Sequence, residues 1–457
     1  MRLFFGKRAA LTLVLLLVFS IPSFHCLNDS DTDYFHGGQA YLTVISGNDQ
    51  SGQGGSSLPE AVVVAVTNSE QVPISNVGLH FEVIEGQGTI EPGPDVTTND
   101  AGRASVEWII DSSYNAIEVT ISDASYEAEP CYVYAVGENP VGLSITRSIN
   151  SFEHKADALY EMTFYGDYTE FLETINQRFT GSFSTFDELS RRKPYYCSLF
   201  STFGVTNNYL FGRNFDNPAG WRCLTLITRC KPPDGYASIA PMRMRDIGFE
   251  TGIDFNDLTF NEKLPLLEAA FFPPDGINEY GLVVGLANCP PQSYNPDPDK
   301  QSLFITYFVR KMLDYAKNVE EAVTIAQQYN FISGPGSTFD VHILVADLSG
   351  QAVILEVAAG ELRCIYNIEP WHVLTNIKIY NVPLDTLRTR CWRYRTIYDW
   401  LESASGIVTA AESLDILSEV GNTYTQWSAI YHMSEKKITL SVDFDFDTLH
   451  EFQFHDF

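Results

Sequence analysis

The stretch CSLFSTFGVTNNYLFGRNFD, residues 197–216, predicts a β-hairpin from which the rest of the chain can be interpreted. Its first half alternates as a strand does, Thr206 begins a turn of polar residues, and Tyr209 begins the returning strand. Cys197 opens the hairpin, and Arg213 and Asp216 lie on its return strand. We therefore expect a thiol, a guanidinium and a carboxylate at one end of the hairpin. The pattern alone allows two interpretations, a catalytic thiol or a buried apolar cysteine beside a surface ion pair.

Further motifs follow this hairpin along the chain. They are PPDGYASIA at 232–240, DGINEYGLVVGLANCP at 275–290, VHILVADLSGQAVILE at 341–356, VLTN at 373–376 and the Arg-Tyr step at 393–394. With the cysteine and the G-R-N-x-D of the hairpin, they resemble the choloylglycine hydrolases. These N-terminal nucleophile hydrolases include bile salt hydrolases, penicillin V acylases and, more distantly, acid ceramidase. The resemblance implies an α+β fold over residues 197–457, a four-layer αββα sandwich.

The resemblance implies a role for each group at the end of the hairpin. Cys197 is the nucleophile, and cleavage of the Tyr196–Cys197 bond releases an α-amino group, whose pKa of about 8 suits a general base. Arg213 favours the thiolate. Asp216 holds and orients the new amino terminus. No cofactor or metal ion takes part in this chemistry.

Three further residues complete the implied site. Asn288 and Asn376 donate hydrogen bonds to the oxyanion that develops when an amide carbonyl is attacked. Arg393 supports the site from its far side, a role for which the sequence offers three alternatives: Arg388, Arg390 and Arg395. Two histidines allow a Cys-His interpretation instead. We interpret both as structural, because His342 opens a predicted core strand and His372 lies beside a tryptophan.

Residues 1–26 have the pattern of a secretory signal peptide. Basic residues come first, and the apolar run from Ala9 to Ile21 is too short for a convincing membrane span. Export is therefore expected, with residues 27–39 as a linker. Lipid attachment at Cys26 and an uncleaved anchor are alternatives to ordinary cleavage, although the residues before Cys26 are not those typical of a lipoprotein.

Residues 40–137 predict a β-sandwich, because short alternating strands are punctuated by Gly, Pro, Asn and Asp. Trp108 is expected in its core. The order of the strand and turn segments resembles the bacterial Ig-like domains of the invasin and intimin type. That resemblance implies a spacer or an adhesion module, with possible contact to a cell surface.

Residues 138–196 form a predicted bridge. Residues 157–179 have roughly helical spacing of apolar side chains, which predicts one or two amphipathic helices. Basic residues at 191–193 and Pro194 follow, and a proline favours an extended, accessible backbone ahead of Cys197. The bridge is either a propeptide that ends in a cleavage site or a plain interdomain linker.

Residues 197–457 are predicted to alternate hairpins with helices. The expected elements are a second hairpin turning at 231–235, an apolar strand ending at Asn288, helices over 302–315 and from Asn318 with a capping box to Glu321, a hairpin turning at 347–350, and a helix over 391–403.

Composition narrows the class of function. The 58 acidic residues outnumber the 29 basic ones, so nucleic acid is excluded as a partner. Six cysteines besides Cys26 and Cys197 permit disulfides in an exported protein.

Three functions remain: hydrolysis of a linear amide in a small N-acyl substrate, adhesion by a protein whose hydrolase-like domain is inactive, and acyl transfer to another amine.

Overall fold

A computed structural model of the chain describes residues 38–86, 88–110, 114–138, 140–181, 197–206, 208–217, 222–333 and 338–454. The predicted signal peptide, Cys26 and the residue on the amino side of Cys197 lie outside this part. The chain forms two compact units. The first contains residues up to Arg147 together with Phe255–Leu264, and the second contains Ser148–Asp254 and the chain from Pro265 onward.

The first unit is a β-sandwich. Its two main sheets have the strand orders β3-β11-β9-β5-β7 and β2-β4-β8-β6, and β1 pairs with β10. The strands are β1 Gly38–Gln39, β2 Tyr41–Ser46, β3 Gln50–Gly52, β4 Val62–Thr67, β5 Gly78–Glu85, β6 Thr89–Glu91, β7 Asp95–Thr97, β8 Arg103–Ile109, β9 Tyr114–Ile121, β10 Tyr126–Glu127 and β11 Cys131–Gly137. Alternate residues of β4 and β8 face the core, and Trp108 is fully buried there. The predicted sandwich is confirmed.

Two packed sheets form the second unit. One has the order β12-β13-β16-β17-β18-β19-β22-β23-β24 and the other β25-β14-β15-β26-β27-β28, while β20 pairs with β21. The strands are β12 Glu153–Ala156, β13 Leu159–Thr163, β14 Ser198–Thr202, β15 Leu210–Asp216, β16 Thr225–Cys230, β17 Ser238–Arg243, β18 Asp275–Asn278, β19 Val283–Ser293, β20 Ser302–Phe304, β21 Asn330–Ile332, β22 Thr338–Ala346, β23 Ala352–Ala358, β24 Glu361–Tyr366, β25 Trp371–Thr375, β26 Thr425–His432, β27 Lys437–Val442 and β28 Leu449–Gln453.

Seven helices lie within the described part of the chain. They are α1 Pro140–Asn150, α2 Thr169–Gly181, α3 Ile305–Tyr315, α4 Val319–Gln328, α5 Leu384–Arg390, α6 Trp392–Ser403 and α7 Ala410–Val420, with 3-10 segments at Met244–Ile247 and Asn261–Phe271. α3 and α4 pack on the nine-stranded sheet, whereas α6 and α7 pack on the six-stranded sheet. Apolar side chains from both sheets share one core. The described residues therefore form the predicted four-layer αββα sandwich.

The hairpin of β14 and β15 lies inside the six-stranded sheet, between β25 and β26. Its strands are antiparallel, with Ser198 opposite Asn214 and Thr202 opposite Leu210. Glycine is required at position 212, because a Cβ atom there would lie 2.4 Å from the ring of Phe200. The end of the hairpin that carries Cys197 is thus held by neighbouring strands on both sides.

The bridge differs from its prediction. Residues Leu159–Thr163, expected in a helix, form β13, which pairs parallel with β16 in the nine-stranded sheet. Pairing with a strand that lies much later in the chain overrides the local spacing of apolar residues, which a sequence pattern cannot anticipate. The second half of the prediction is correct, since α2 begins at Thr169 and buries Leu172 and Ile175.

α2 is held by polar contacts with the region around α3. Asn176 donates through Nδ2 to the carbonyl oxygen of Ser302 at 3.1 Å and accepts from the backbone nitrogen of Phe304 at 2.8 Å. Glu173 lies 2.9 Å from Lys311. Residues 148–181 are therefore an integral part of the second unit, although they precede Cys197.

Two further predictions need correction in detail. The helix expected from residue 302 begins at Ile305, because Ser302–Phe304 pair as β20 with β21. The strand expected to end at Asn288 continues to Ser293, and its register with β22 shifts between Asn288 and Gln292. The second hairpin, the Asn318 cap, the 347–350 turn and the helix after Cys391 are confirmed.

Two further observations concern the cysteines and the helices. The seven cysteines within the described ranges are all free, so the disulfides that the sequence permits are not formed among them. Over the same ranges, no helix combines the length and apolarity needed to cross a membrane.

Residues 148–181 should stay bound when the chain is cut ahead of Cys197. A specific protease site inserted between residues 185 and 190 provides such a cut without any activity of the protein itself. We expect both fragments to co-elute in gel filtration and to separate in about 6 M guanidinium chloride, because β13 contributes buried apolar surface and strand pairing. Met162→Asp should release the upstream fragment, whereas Glu153→Gln, at an exposed position, should not. Wild-type fragments that separate in native buffer would contradict the assignment of residues 148–181 to the second unit.

Candidate active site

Cys197 lies at the start of the hairpin and is 1% exposed. Nη2 of Arg213 approaches its sulfur atom at 3.9 Å, a distance at which a guanidinium hydrogen bonds weakly to sulfur. The predicted pair of thiol and guanidinium is thus brought together on adjacent strands. The position of Arg213 follows from the pairing of β15 with β14, which sets Leu199 opposite it.

Asp275 fixes the guanidinium of Arg213, and the sequence prediction assigned it no role. Its Oδ1 lies 3.0 Å from Nε of Arg213, and both side chains are fully buried. Tyr431 and Trp427 donate to the other carboxylate oxygen of Asp275. Nη1 of Arg213 donates to the carbonyl oxygen of Leu286 at 2.6 Å. The arginine therefore joins the two sheets while one nitrogen faces the thiol.

Arg393 lies on the opposite side of Cys197, at the second position of α6. Nη1 donates to the carbonyl oxygen of Cys197 at 2.5 Å and to Oγ of Ser198 at 3.0 Å. Nη2 donates to Oδ1 of Asn376 at 3.0 Å. Of the four candidate arginines, Arg393 is thus the one that these contacts connect to the cysteine, while Arg388 pairs with Asp399 at the surface.

Asn376 and Asn288 lie next to each other, one from each sheet. Asn376 directly follows β25, and its Nδ2 donates to the backbone carbonyl oxygen of Asn288 at 2.8 Å. Because Arg393 holds its Oδ1, the amide plane of Asn376 is fixed with its nitrogen toward β19. An amide nitrogen carries two hydrogens, and the contact with Asn288 uses one of them.

Asp216 ends β15 and is fully buried. Thr425 donates to Oδ1 at 2.6 Å, and Nδ2 of Asn422 donates to Oδ2 at 3.1 Å. Burial raises the pKa of Asp216 to about 6, against the opposing effects of the Thr425 hydrogen bond and the charges of Arg393 and Arg213. This carboxylate therefore has hydrogen-bond donors, but these donors and the two guanidinium charges do not outweigh its burial.

The thiol of Cys197 is not activated in the uncut chain. Burial raises its pKa, and the charge of Asp216 acts in the same direction. Arg213 and Arg393 lower it, as the sequence predicted for Arg213, but they do not outweigh burial. The arrangement therefore favours the protonated form of this thiol.

The two histidines are not paired with Cys197 by any contact that the structure records. His342 lies in the middle of β22 instead of opening a strand, and it contacts Glu356 and the carbonyl oxygen of Thr375. His372 faces the carbonyl oxygen of Ile365, and burial lowers its pKa to about 4. The described residues include no group of three or more Asp, Glu, His or Cys side chains suited to a metal ion.

Asp275, Thr425 and Asn422 were missed by the sequence analysis. Asp275 stands in the quoted segment DGINEYGLVVGLANCP, yet only the pairing of β18 with β19 shows that it is directed toward Arg213. Thr425 and Asn422 lie over 200 residues from Asp216 in the chain. No local pattern marks them, because a donor to a distant carboxylate has no characteristic spacing.

The two packed sheets between helices, with a cysteine at the start of a central hairpin, are the arrangement that the resemblance to the N-terminal nucleophile hydrolases implied. Residues 273–444 match the family model described as acyl-coenzyme A:6-aminopenicillanic acid acyl-transferase. Penicillin V acylase from Pectobacterium atrosepticum is 29% identical over 119 residues, which are 24% of this chain and 31% of that protein. The chain thus spans about a third of the length of this relative, and the resemblance to these acylases is confirmed.

Two solved structures are similar to parts of the chain. A variant of conjugated bile acid hydrolase from Clostridium perfringens is 16% identical and covers 56% of this chain and 92% of its own, with a TM-score of 0.42. The D00-D0 domain of intimin is 18% identical and covers 21% of this chain and 45% of its own, with a TM-score of 0.15.

Asp216→Asn should change how stability depends on pH. In an uncut Cys197→Ala background, an aspartate whose folded pKa is about 6 keeps its proton to higher pH than the same residue unfolded, whose value is 3.8. The free energy of unfolding should therefore fall, relative to Asp216→Asn, as the pH rises from 4 to 7. A shift of this size corresponds to about 3 kcal/mol. Urea denaturation across this range measures it, and a difference that stays constant with pH would contradict the assignment.

Asp275→Asn should strongly destabilise the second unit, because it leaves the guanidinium of Arg213 buried without its counter-ion. Breaking a buried pair from one side costs roughly 3–5 kcal/mol. The matched control is Asp246→Asn, which removes the partner of Arg243 in a more exposed pair and should cost about 1 kcal/mol or less. Urea denaturation compares the two, and equal losses would contradict a special role for Asp275.

Proposed function

We propose that this protein is an exported amidohydrolase that uses Cys197 as its nucleophile after the bond before Cys197 is cut. The proposal depends on one observation above all. Arg213 and Arg393 converge on the two ends of the same residue, one at its sulfur atom and the other at its carbonyl oxygen. A structural cysteine does not need two buried arginines, since its thiol behaves as a small apolar group.

Self-cleavage begins with attack of the thiol on the carbonyl carbon of Tyr196. The peptide C–N bond breaks, a thioester forms, and the thiol proton passes to the departing nitrogen, which becomes the free α-amine of Cys197. Water then hydrolyses the thioester to a carboxylate on Tyr196 and restores the thiol. Arg393 supports this step by holding the Cys197 backbone still through its carbonyl oxygen.

The new amine then acts as the general base. Its pKa is about 8, so it takes the proton of its own thiol near neutral pH. The resulting ammonium lies beside the buried Asp216, whose negative charge stabilises it. Gain of this cation also opposes the effect of burial on the pKa of the thiol, because a positive charge favours the thiolate.

The thiolate attacks the carbonyl carbon of an amide substrate, and the oxyanion that forms needs hydrogen-bond donors. Asn376 is suited to this role, because Arg393 and the Asn288 backbone fix its amide plane. A preorganised donor of this kind is worth a few kcal/mol in the transition state. The ammonium then protonates the leaving amine, and water hydrolyses the acyl-enzyme with the α-amine as base.

The substrate class proposed is a small molecule with a linear N-acyl amide bond. The named relatives are a penicillin V acylase and a conjugated bile acid hydrolase, and this supports amide chemistry on small molecules. The apolar run that follows basic residues at the start of the sequence supports export. Contact of the Ig-like unit with a cell surface belongs to the same proposal.

Acyl transfer is the second candidate, because the matching family model carries the name of an acyl-transferase. The same acyl-enzyme serves both reactions, and the outcome depends on whether water or an acceptor amine reaches it. Product analysis with and without an added amine distinguishes them. Acylated amine as the main product would favour transfer over hydrolysis.

The wild-type protein should yield a chain that begins at Cys197. Intact mass and N-terminal sequencing of the purified protein measure this directly. Cys197→Ala should stay uncut and lose roughly 10³-fold or more of any N-acyl amide hydrolysis, because no other group replaces the thiol. Cys230→Ala removes another fully buried cysteine and should be cut as the wild type is.

Two results would overturn the proposal. One is a folded wild-type chain that remains uncut and hydrolyses no member of a panel of N-acyl amides. The other is hydrolysis of such amides by Cys197→Ala at the wild-type rate. The first result favours the adhesion interpretation, and the second requires a different nucleophile.

A further inference from the structure

His342 and Glu356 form a fully buried pair close to the candidate site. They lie directly opposite each other on β22 and β23 of the nine-stranded sheet, so their side chains share one face of it. Nδ1 of His342 is 3.0 Å from Oε2 of Glu356. Neither residue is used by the proposed chemistry, and such a pair is costly to bury unless every polar atom has a partner.

The backbone groups that His342 and Glu356 contact lie on residues 375–380, the segment that carries Asn376. Nε2 of His342 contacts the carbonyl oxygen of Thr375 at 2.7 Å. The backbone nitrogen of Ile379 donates to Oε2 of Glu356 at 2.9 Å, and that of Tyr380 donates to Oε1 at 3.0 Å. The segment 375–380 leaves β25 of the six-stranded sheet, so the pair ties it to the other sheet on both sides of Asn376.

The hydrogen bonds determine where the protons lie. Nε2 of His342 donates, because a carbonyl oxygen can only accept. Glu356 accepts two backbone N–H groups, which favours its carboxylate form. Burial raises the pKa of Glu356, but the His342 hydrogen bond and charge and these two N–H groups outweigh it and lower the pKa overall. Nδ1 of His342 lies 3.0 Å from this carboxylate, which is within hydrogen-bond distance.

We infer that His342 and Glu356 are positioning residues that hold Asn376 in the orientation needed for oxyanion binding. The role given to Asn376 in this inference rests on the proposed function, whereas the position of the segment 375–380 does not. Asn376 itself is held by Arg393 and by the Asn288 backbone, and both contacts require the segment 375–380 to lie at a fixed depth between the sheets. The pair fixes that depth through its contacts with Thr375, Ile379 and Tyr380.

Hydrogen exchange tests the positioning without any substrate. In the full-length protein, the amide hydrogens of Ile379 and Tyr380 should be protected. They should exchange roughly tenfold or more faster in His342→Gln and in Glu356→Gln. His372→Gln is the matched control: this half-buried histidine on β25 also contacts one backbone carbonyl, that of Ile365, and its loss should leave these two amides unchanged.

A double-mutant cycle tests the link to Asn376. With penicillin V as the probe, His342→Gln should lower kcat about tenfold or more with little change in KM, but it should cause little further loss in the Asn376→Ala background. A purely structural histidine would give independent, additive effects, as we expect for His372→Gln with Asn376→Ala. Unchanged exchange at Ile379 and Tyr380, or additive effects in the cycle, overturns the inference. If the two variants show faster exchange but the wild-type protein hydrolyses no amide, the positioning role stands and the result counts against the proposed function.

Discussion

One buried guanidinium holds the candidate site together. Arg213 belongs to the six-stranded sheet, yet it contacts Asp275 and the Leu286 carbonyl oxygen of the nine-stranded sheet. Two sheets that pack only through apolar side chains can slide past each other by small distances. A guanidinium that contacts fixed partners on the other sheet prevents this movement. Arg213 also contacts the sulfur atom of Cys197, so the position of this thiol depends on the cross-sheet contact. Tyr431 and Trp427 then orient Asp275 in turn.

Much of this arrangement could be predicted from the sequence. The hairpin at Cys197, the strand pairs around it and the helix after Cys391 follow from local alternation and turn residues, which act over a few positions. The six candidate residues followed from family motifs, and the structure places Cys197, Arg213, Asn376 and Arg393 in one connected network. Their catalytic roles remain predictions that the experiments above address.

What the sequence could not provide depends on contacts between distant residues. Asp275 gains its role only when β18 comes beside Arg213, and Thr425 only when β26 pairs with β15. The β13 strand resembled a helix because its apolar spacing fits both periods in a short segment, and its parallel partner lies beyond Cys197. The net charge state of the thiol also needed the structure, since burial and four nearby charges or dipoles act in different directions.

The nine-stranded sheet includes two strands that precede Cys197, β12 and β13. A cut before Cys197 therefore changes the molecularity of folding: the precursor folds as one chain, but the cut protein can refold only if two chains meet. Its thermal midpoint then depends on protein concentration, and dilution favours loss of the edge strands. Once cut, the protein would stay folded because it unfolds slowly, and not because it refolds easily. Its stability would then be kinetic.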